Sequence, residues 1–178
     1  MSNLYSGNVD DNNMRLGFNG GVFGRTNTAS ALGIQAELLY STKGNSTTYH
    51  AFFDLIDQQV DFSLNYLELP LMASFRFADQ AIELQAGGYV GYLLGANVTT
   101  SGDLGSGSNT LDRSNFNSMD AGLVLGAAFN AGPAQIGARY EFGLSQIANS
   151  DDAKFLLGDA KNSCIQVYVA VGVPGERK

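Results

Sequence analysis

The sequence predicts an all-β protein: an antiparallel up-and-down transmembrane β-barrel of eight strands, with the first strand only partly present. Three observations carry that prediction. Apolar and polar residues alternate strictly over long runs, short and long connections alternate between those runs, and the polar face is rich in glycine and opposite charges. The run AQIGARYEFGLSQI (134–147) shows the first most clearly. Ala134, Ile136, Ala138, Tyr140, Phe142 and Leu144 fall on one face, and Gln135, Gly137, Arg139, Glu141, Gly143 and Ser145 on the other. Successive strand side chains point to opposite faces, so this pattern is a strand.

The other strands follow in order. Residues 14–24 set Leu16, Phe18 and Val22 against Arg15, Gly17, Asn19 and Gly21. Residues 33–43 set Ile34, Ala36, Leu38 and Tyr40 against Gln35, Glu37 and Ser41. In 66–77, Leu67, Leu69, Leu71, Ala73, Phe75 and Phe77 oppose Glu68, Ser74 and Arg76. Pro70 inside that run removes a ladder donor and predicts a bulge or local kink. Residues 81–96 set Ile82, Leu84, Val90, Tyr92 and Leu94 against Glu83, Gln85, Gly87 and Gly91, and 117–130 set Met119, Leu123, Leu125 and Phe129 against Asp120, Gly122 and Gly126. After 134–147 comes 163–173, where Ile165, Val167, Val169 and Val171 oppose Gln166 and Tyr168.

The connections 25–32, 78–80 and 131–133 are short, whereas 5–13, 44–65, 97–116 and 148–162 are long. In an up-and-down barrel that order gathers short turns at one rim and long loops at the other, as in outer-membrane barrels. Segment 44–65 keeps strand-like pieces and reads as a hairpin above the membrane. Segment 97–116 is polar and glycine-rich and reads as a mobile loop.

Seven full strands cannot close such a barrel, because single-chain bacterial barrels have even counts. The stretch SNLYS (2–6) supplies half of an eighth, which should pair with 163–173. On this reading Met1 replaces or follows a piece holding a targeting segment and the first half of strand one. MSNLYSGNVDD itself has neither the basic start nor the apolar run of a signal peptide.

The face that meets lipid is the apolar one. Lysine is nearly absent from the strands, with Lys43, Lys154, Lys161 and Lys178 read as strand ends, loops or terminus, whereas a solvated sheet face would carry many. Glycine weakens strands, yet a narrow lumen needs it beside long side chains. The charges on that face are also of opposite sign and able to neutralise one another: Arg15, Arg76 and Arg139 against Glu37, Glu68, Glu83, Asp120 and Glu141. Buried charges must be paired, so these eight residues are the expected lumen network, structural in role, with Glu141 and Asp120 pairing to Arg139. Phe77 and Phe129 beside short turns and Tyr40 toward a long loop fit interfacial girdles.

Composition bounds the function. The 178 residues make one domain, 1–178, 44% hydrophobic and only 15% charged. A net charge of −7 argues against nucleic acid as a partner. The single cysteine, Cys164, lies in a strand away from the single histidine, His50, so no nucleophile with an adjacent base is expected. Asp103 and Asp112 lack a calcium-loop spacing, and GSGS (105–108) lacks the lysine and helix of a phosphate loop. No catalytic residue, cofactor or metal is assigned.

ELLYSTKG (37–44), NYLELPLMASFRF (65–77), GGYVGYLLGA (87–96) and ARYEFGLSQI (138–147) together resemble the PorT-like outer-membrane β-barrel family of Gram-negative bacteria. NYLELPL is the most specific of these stretches, and SNLYSGNVDDNNMRLGFNGGVF resembles that family's first strand, loop and second strand. The resemblance implies an eight-stranded barrel in the cell outer membrane, in a family whose eponymous member is associated with type IX secretion. The chain departs from the usual terminal aromatic of outer-membrane barrels by ending VGVPGERK. The expected function is a non-enzymatic barrel with a filled polar lumen, acting structurally, in binding or as a secretion accessory through its extracellular loops. Its expected partners are outer-membrane lipid and a protein bound through those loops. The alternative is a soluble lipocalin-like barrel carrying an apolar ligand, which would need an apolar lumen.

Overall fold

The computed structural model describes residues 2–5, 13–26, 31–51, 56–102, 105–149 and 160–172. They form one curled antiparallel sheet. Its strands are β1 (Ser2–Tyr5), β2 (Asn13–Met14), β3 (Asn19–Arg25), β4 (Leu32–Ala51), β5 (Ile56–Phe77), β6 (Ile82–Gly102), β7 (Gly107–Leu111), β8 (Met119–Ala131), β9 (Ala134–Gln146) and β10 (Lys161–Val171). The order around the sheet is β1-β10-β9-β8-β6-β5-β4-β2, with β3 also on β4 and β7 also on β6. β2 and β3 are two pieces of one stave and β7 is a short arm above it, so the barrel has eight staves.

The period-two pattern decides the faces. Leu69, Leu125 and Val167 stand 53%, 62% and 75% exposed around the outside, while Glu68, Glu83 and Glu141 are at most 1% exposed inside. This continuous apolar belt is far larger than a soluble surface tolerates, and along β9 it runs from Ile136 to Leu144, a stretch of tilted strand long enough for a bilayer. At the short-turn rim Phe75 and Phe77 stack with centroids 6.1 Å apart, and Phe129 lies two strands along, across Ile82. Tyr40 and Tyr92 lie toward the other rim.

A bilayer needs only about 9–11 residues of tilted strand, yet β4, β5 and β6 have 20, 22 and 21. Their surplus stands above the long-loop rim. Segment 44–65 is the expected hairpin, paired from Gly44↔Ser63 to Ala51↔Ile56. Segment 97–116 corrects the loop reading: β6 runs on to Gly102 and β7 folds back on it, Ala96↔Leu111 to Thr100↔Gly107. Threonines and serines line both arms (Thr99 beside Ser108), and such residues suit solvated strands as well as loops.

The short turns are tight. Gly132 and Pro133 join β8 to β9, with Gly132 at φ 61°, a conformation glycine adopts without steric cost. Between β5 and β6, Ala78, Asp79 and Gln80 all take positive φ, 52°, 54° and 69°. Pro70 makes no bulge: it holds its place opposite Tyr89, and the β4 ladder keeps one register from Leu39↔Glu68 to Ala36↔Leu71. The irregularity falls instead at Asn65/Tyr66, where β5 leaves the apolar belt. SNLYS pairs with the last strand as expected, Ser2↔Cys164 to Tyr5↔Lys161.

Candidate functional site: the barrel interior

Inward side chains from all the long strands fill the lumen in layers. Nearest the short turns, Glu83 on β6 receives Arg76 Nε at 3.4 Å and Arg25 Nη1 at 3.9 Å. Gln85 Nε2 and Asn130 Nδ2 donate to its carboxylate at 2.9 and 3.3 Å. Arg25 also donates to Asn130 Oδ1, as does Gln135.

The middle layer is built on Arg139. Its Nη1 lies 2.8 Å from Glu37 Oε2, its Nε donates to Gln166 Oε1 at 2.7 Å, and its guanidinium lies 4.7 Å from the Tyr168 ring centre. Gln35 Nε2 donates to the other Glu37 oxygen at 2.6 Å. Gly137 makes this layer possible, because a Cβ there would come within 2.6 Å of the Tyr168 ring and hydroxyl. That is the space a narrow lumen demands of glycine.

Above it stands Lys43, 1% exposed in the middle of β4. Its ammonium contacts Glu68, Glu141 Oε2 at 2.9 Å and Asp120 Oδ2 at 3.7 Å, and lies 4.1 Å from the Tyr89 ring centre. The Tyr89 hydroxyl and Asn162 Nδ2 donate to Asp120 Oδ2 at 3.1 and 2.8 Å. Three carboxylates surround one ammonium, and aromatic faces complete the shell.

The uppermost layer is apolar. Leu64, Tyr66, Leu93, Ala96, Phe116, Ile147 and Ala160 pack together with Phe62 and Leu111. Phe62 and Phe116 rings meet with centroids 5.5 Å apart. Burying Leu64 and Leu93 completely stabilises the fold by about 1.5–3 kcal/mol each and closes the outer mouth. Phe116 is held there by the turn before it: Asp112 accepts from the Ser114 amide at 3.0 Å, and the Asn149 amide donates to the Asn115 carbonyl. That hydrogen bond holds the Asp112 carboxyl below its usual pKa.

Of the eight expected lumen charges, Glu37, Glu68, Arg76, Glu83, Asp120, Arg139 and Glu141 come together in these layers. Arg15 lies at the rim, half-buried, and among the described residues makes no ion pair with them. Two expectations are corrected. Glu141 and Asp120 face Lys43, not Arg139, whose carboxylate is Glu37 across the lumen. Lys43 is no strand end but the hub of a layer. Its position had been legible, since 35, 37, 39, 41 and 43 share one face. The apolar cap lacked such a signal, because Leu64 and Phe116 lie in the connections 44–65 and 97–116, while Leu93 shares the polar face of the 81–96 strand with Glu83 and Gln85.

Cys164 is buried and free. Among the described residues no cluster of histidine, cysteine and carboxylates could hold a metal, and no helix is long and apolar enough to cross a membrane. The His50 side chain and Asp103 lie outside what is described.

No curated protein and no solved structure matches the chain. A family model described as "Outer membrane protein beta-barrel domain" does, over residues 1–149. With that match over most of its length, on a curled sheet of eight staves with a lipid-facing apolar belt, the chain belongs to the outer membrane β-barrel domain family and resides in the outer membrane.

Proposed function

We propose that this is a PorT-like, non-conducting and non-enzymatic barrel that works through the sheet of β4–β7 standing above the membrane, as a binding or secretion-accessory module. The observation that carries this reading is the closed interior: three layers of polar and charged side chains under an apolar plug of Leu64, Leu93 and Phe116. An eight-stranded lumen is just wide enough to be filled this way. Polar and charged side chains fill the lumen among the described residues, which disfavours the lipocalin-like alternative with its apolar lumen. What is left to engage a protein is the projecting sheet, whose arms carry Gln59, Asp61, Thr99 and Ser108 toward solvent.

Planar-bilayer recording on the purified protein, with the protein and with a variant in which residues 97–111 are replaced by a tight turn, tests this. Both should be silent, while native-membrane pull-down of a partner should be lost with the projecting arm. Steady open-pore conductance from the unaltered protein would overturn the reading.

A further inference from the structure

At the short-turn mouth the lumen holds more positive charge than its own carboxylate answers. Arg76 Nε approaches Glu83 at 3.4 Å and Arg25 Nη1 approaches it at 3.9 Å. Glu83 is already engaged, with Gln85 Nε2 donating to one oxygen and Asn130 Nδ2 to the other. The remaining described acceptors for the two guanidiniums are the Thr26 carbonyl, 3.2 Å from Arg76 Nη2, and Asn130 Oδ1, 3.3 Å from Arg25 Nη1. Arg76 is 6% exposed, and its Nε is buried without a hydrogen-bond partner among the described residues. A buried charged donor left in that state is costly.

The surplus faces a recess. A cavity of about 250 Å³ opens at this rim, with Arg25, Arg76, Asn130, Gln80 and Asp79 on its wall and Glu83 behind them. Gly33 makes room for the buried guanidinium, because a Cβ there would strike Arg76 Nη2. Asp79 sits at the exposed lip and forms no ion pair with either arginine among the described residues. The layers above have no such surplus: Arg139 has Glu37, and Lys43 has three carboxylates.

We infer that this recess binds one carboxylate, presented from the periplasmic side by a small molecule or by the end of a peptide chain. Short turns face the periplasm in such barrels, so the recess opens there. A guanidinium fork matches the planar carboxylate, which accepts two parallel N–H bonds. A single negative charge answers two arginines that share one glutamate, whereas a phosphate dianion overshoots beside Glu83 and Asp79. The cavity is smaller than the roughly 300–1,000 Å³ of drug-sized sites, so it suits a group of few atoms.

Nitrogen-15 NMR of the folded protein in zwitterionic micelles provides the test. Sodium acetate, exchanged for sodium chloride at constant ionic strength, should shift the Arg76 Nε–H resonance saturably. Arg25→Gln should weaken acetate binding at least about tenfold, the worth of one charge-assisted hydrogen bond. Asp79→Asn removes the like charge at the lip and should tighten binding about threefold. Arg113→Gln, at the opposite rim, should change nothing. Should Arg25→Gln lose heat-modifiable folding, the exposed Asp79→Asn variant still decides the matter. Alanyl-alanine binding at least about tenfold tighter than acetate, with its amide not binding, supports the inference and assigns the carboxylate to a chain end. Equal binding of acetate and alanyl-alanine supports it and assigns a small molecule. A shift that does not saturate, phosphate binding as tightly as acetate, or Asp79→Asn binding acetate no better than the unaltered protein would each overturn it.

Discussion

The Arg139 guanidinium meets the Glu37 carboxylate at 2.8 Å across the lumen, joining β9 to β4 from opposite sides of the sheet. Both groups are about 95% buried, so the pair is held by the barrel rather than by solvent. Removing one partner strands the other charge, and Arg139→Ala should cost about 3–5 kcal/mol. Glu37→Met with Arg139→Met should recover a large part of that. Urea unfolding in detergent micelles, followed by heat-modifiable gel mobility, reads both, and a double-variant loss equal to the sum of the two single losses would show the pair contributes nothing jointly.

Among the described residues Lys43 is the single cation paired with Glu68, Asp120 and Glu141. Lys43→Met leaves three carboxylates crowded together, so it should destabilise by at least about 3–5 kcal/mol. Lys161→Met, at the half-buried start of β10, should stay within about 1 kcal/mol. Matching effects of the two in the same unfolding assay would remove Lys43 from the centre of the layer.

The lipid belt gives a depth-dependent outcome. Leu125→Arg, in the middle of β8, should cost about 2–4 kcal/mol in lipid vesicles, and Met119→Arg at the strand's outer end about 0–1 kcal/mol. Equal penalties would contradict the placement of the membrane.

The turn after β5 stores strain at Ala78, Asp79 and Gln80. A left-handed backbone costs a residue with a Cβ about 1–2 kcal/mol, so Asp79→Gly should stabilise by roughly 1 kcal/mol once glycine's larger unfolded entropy is deducted. A fall in unfolding midpoint would show a different turn in solution.

Asp112 adds a pH signature outside the membrane. Its folded pKa lies below the unfolded value of 3.8 because the Ser114 amide donates to the ionised form. Its contribution is therefore present above about that pH and disappears as pH falls through the lower folded value. NMR titration of the Asp112 carboxyl should show the depressed midpoint, and Asp112→Asn should abolish the associated change in Ser114 amide shift.

The faces of the strands could be read residue by residue, as Leu67 to Phe77 against Glu68 to Arg76 shows, because alternation is a property of the strand backbone itself. The projecting β6–β7 hairpin was harder to see. Threonine, serine and glycine in 97–111 support a solvated strand and a loop alike, and only the ladder partner tells them apart. Lys43 was overlooked for another reason: its neighbours TKGNSTT carry the polarity of a strand end, although its parity places it with Glu37.

What the sequence by itself determined is local: where strands run, which face of each is apolar, and which rim carries the short turns. Each follows from the two-residue repeat and from turn-forming residues. What only the tertiary structure decided is opposition. Arg139 finds Glu37, Glu141 finds Lys43, and Leu64 finds Phe116 because curling the sheet sets distant strands face to face across a lumen. The edges of β3 and β10 that carry no partner strand among the described residues belong to that second class, since such an edge is visible only once the other strands have found their neighbours.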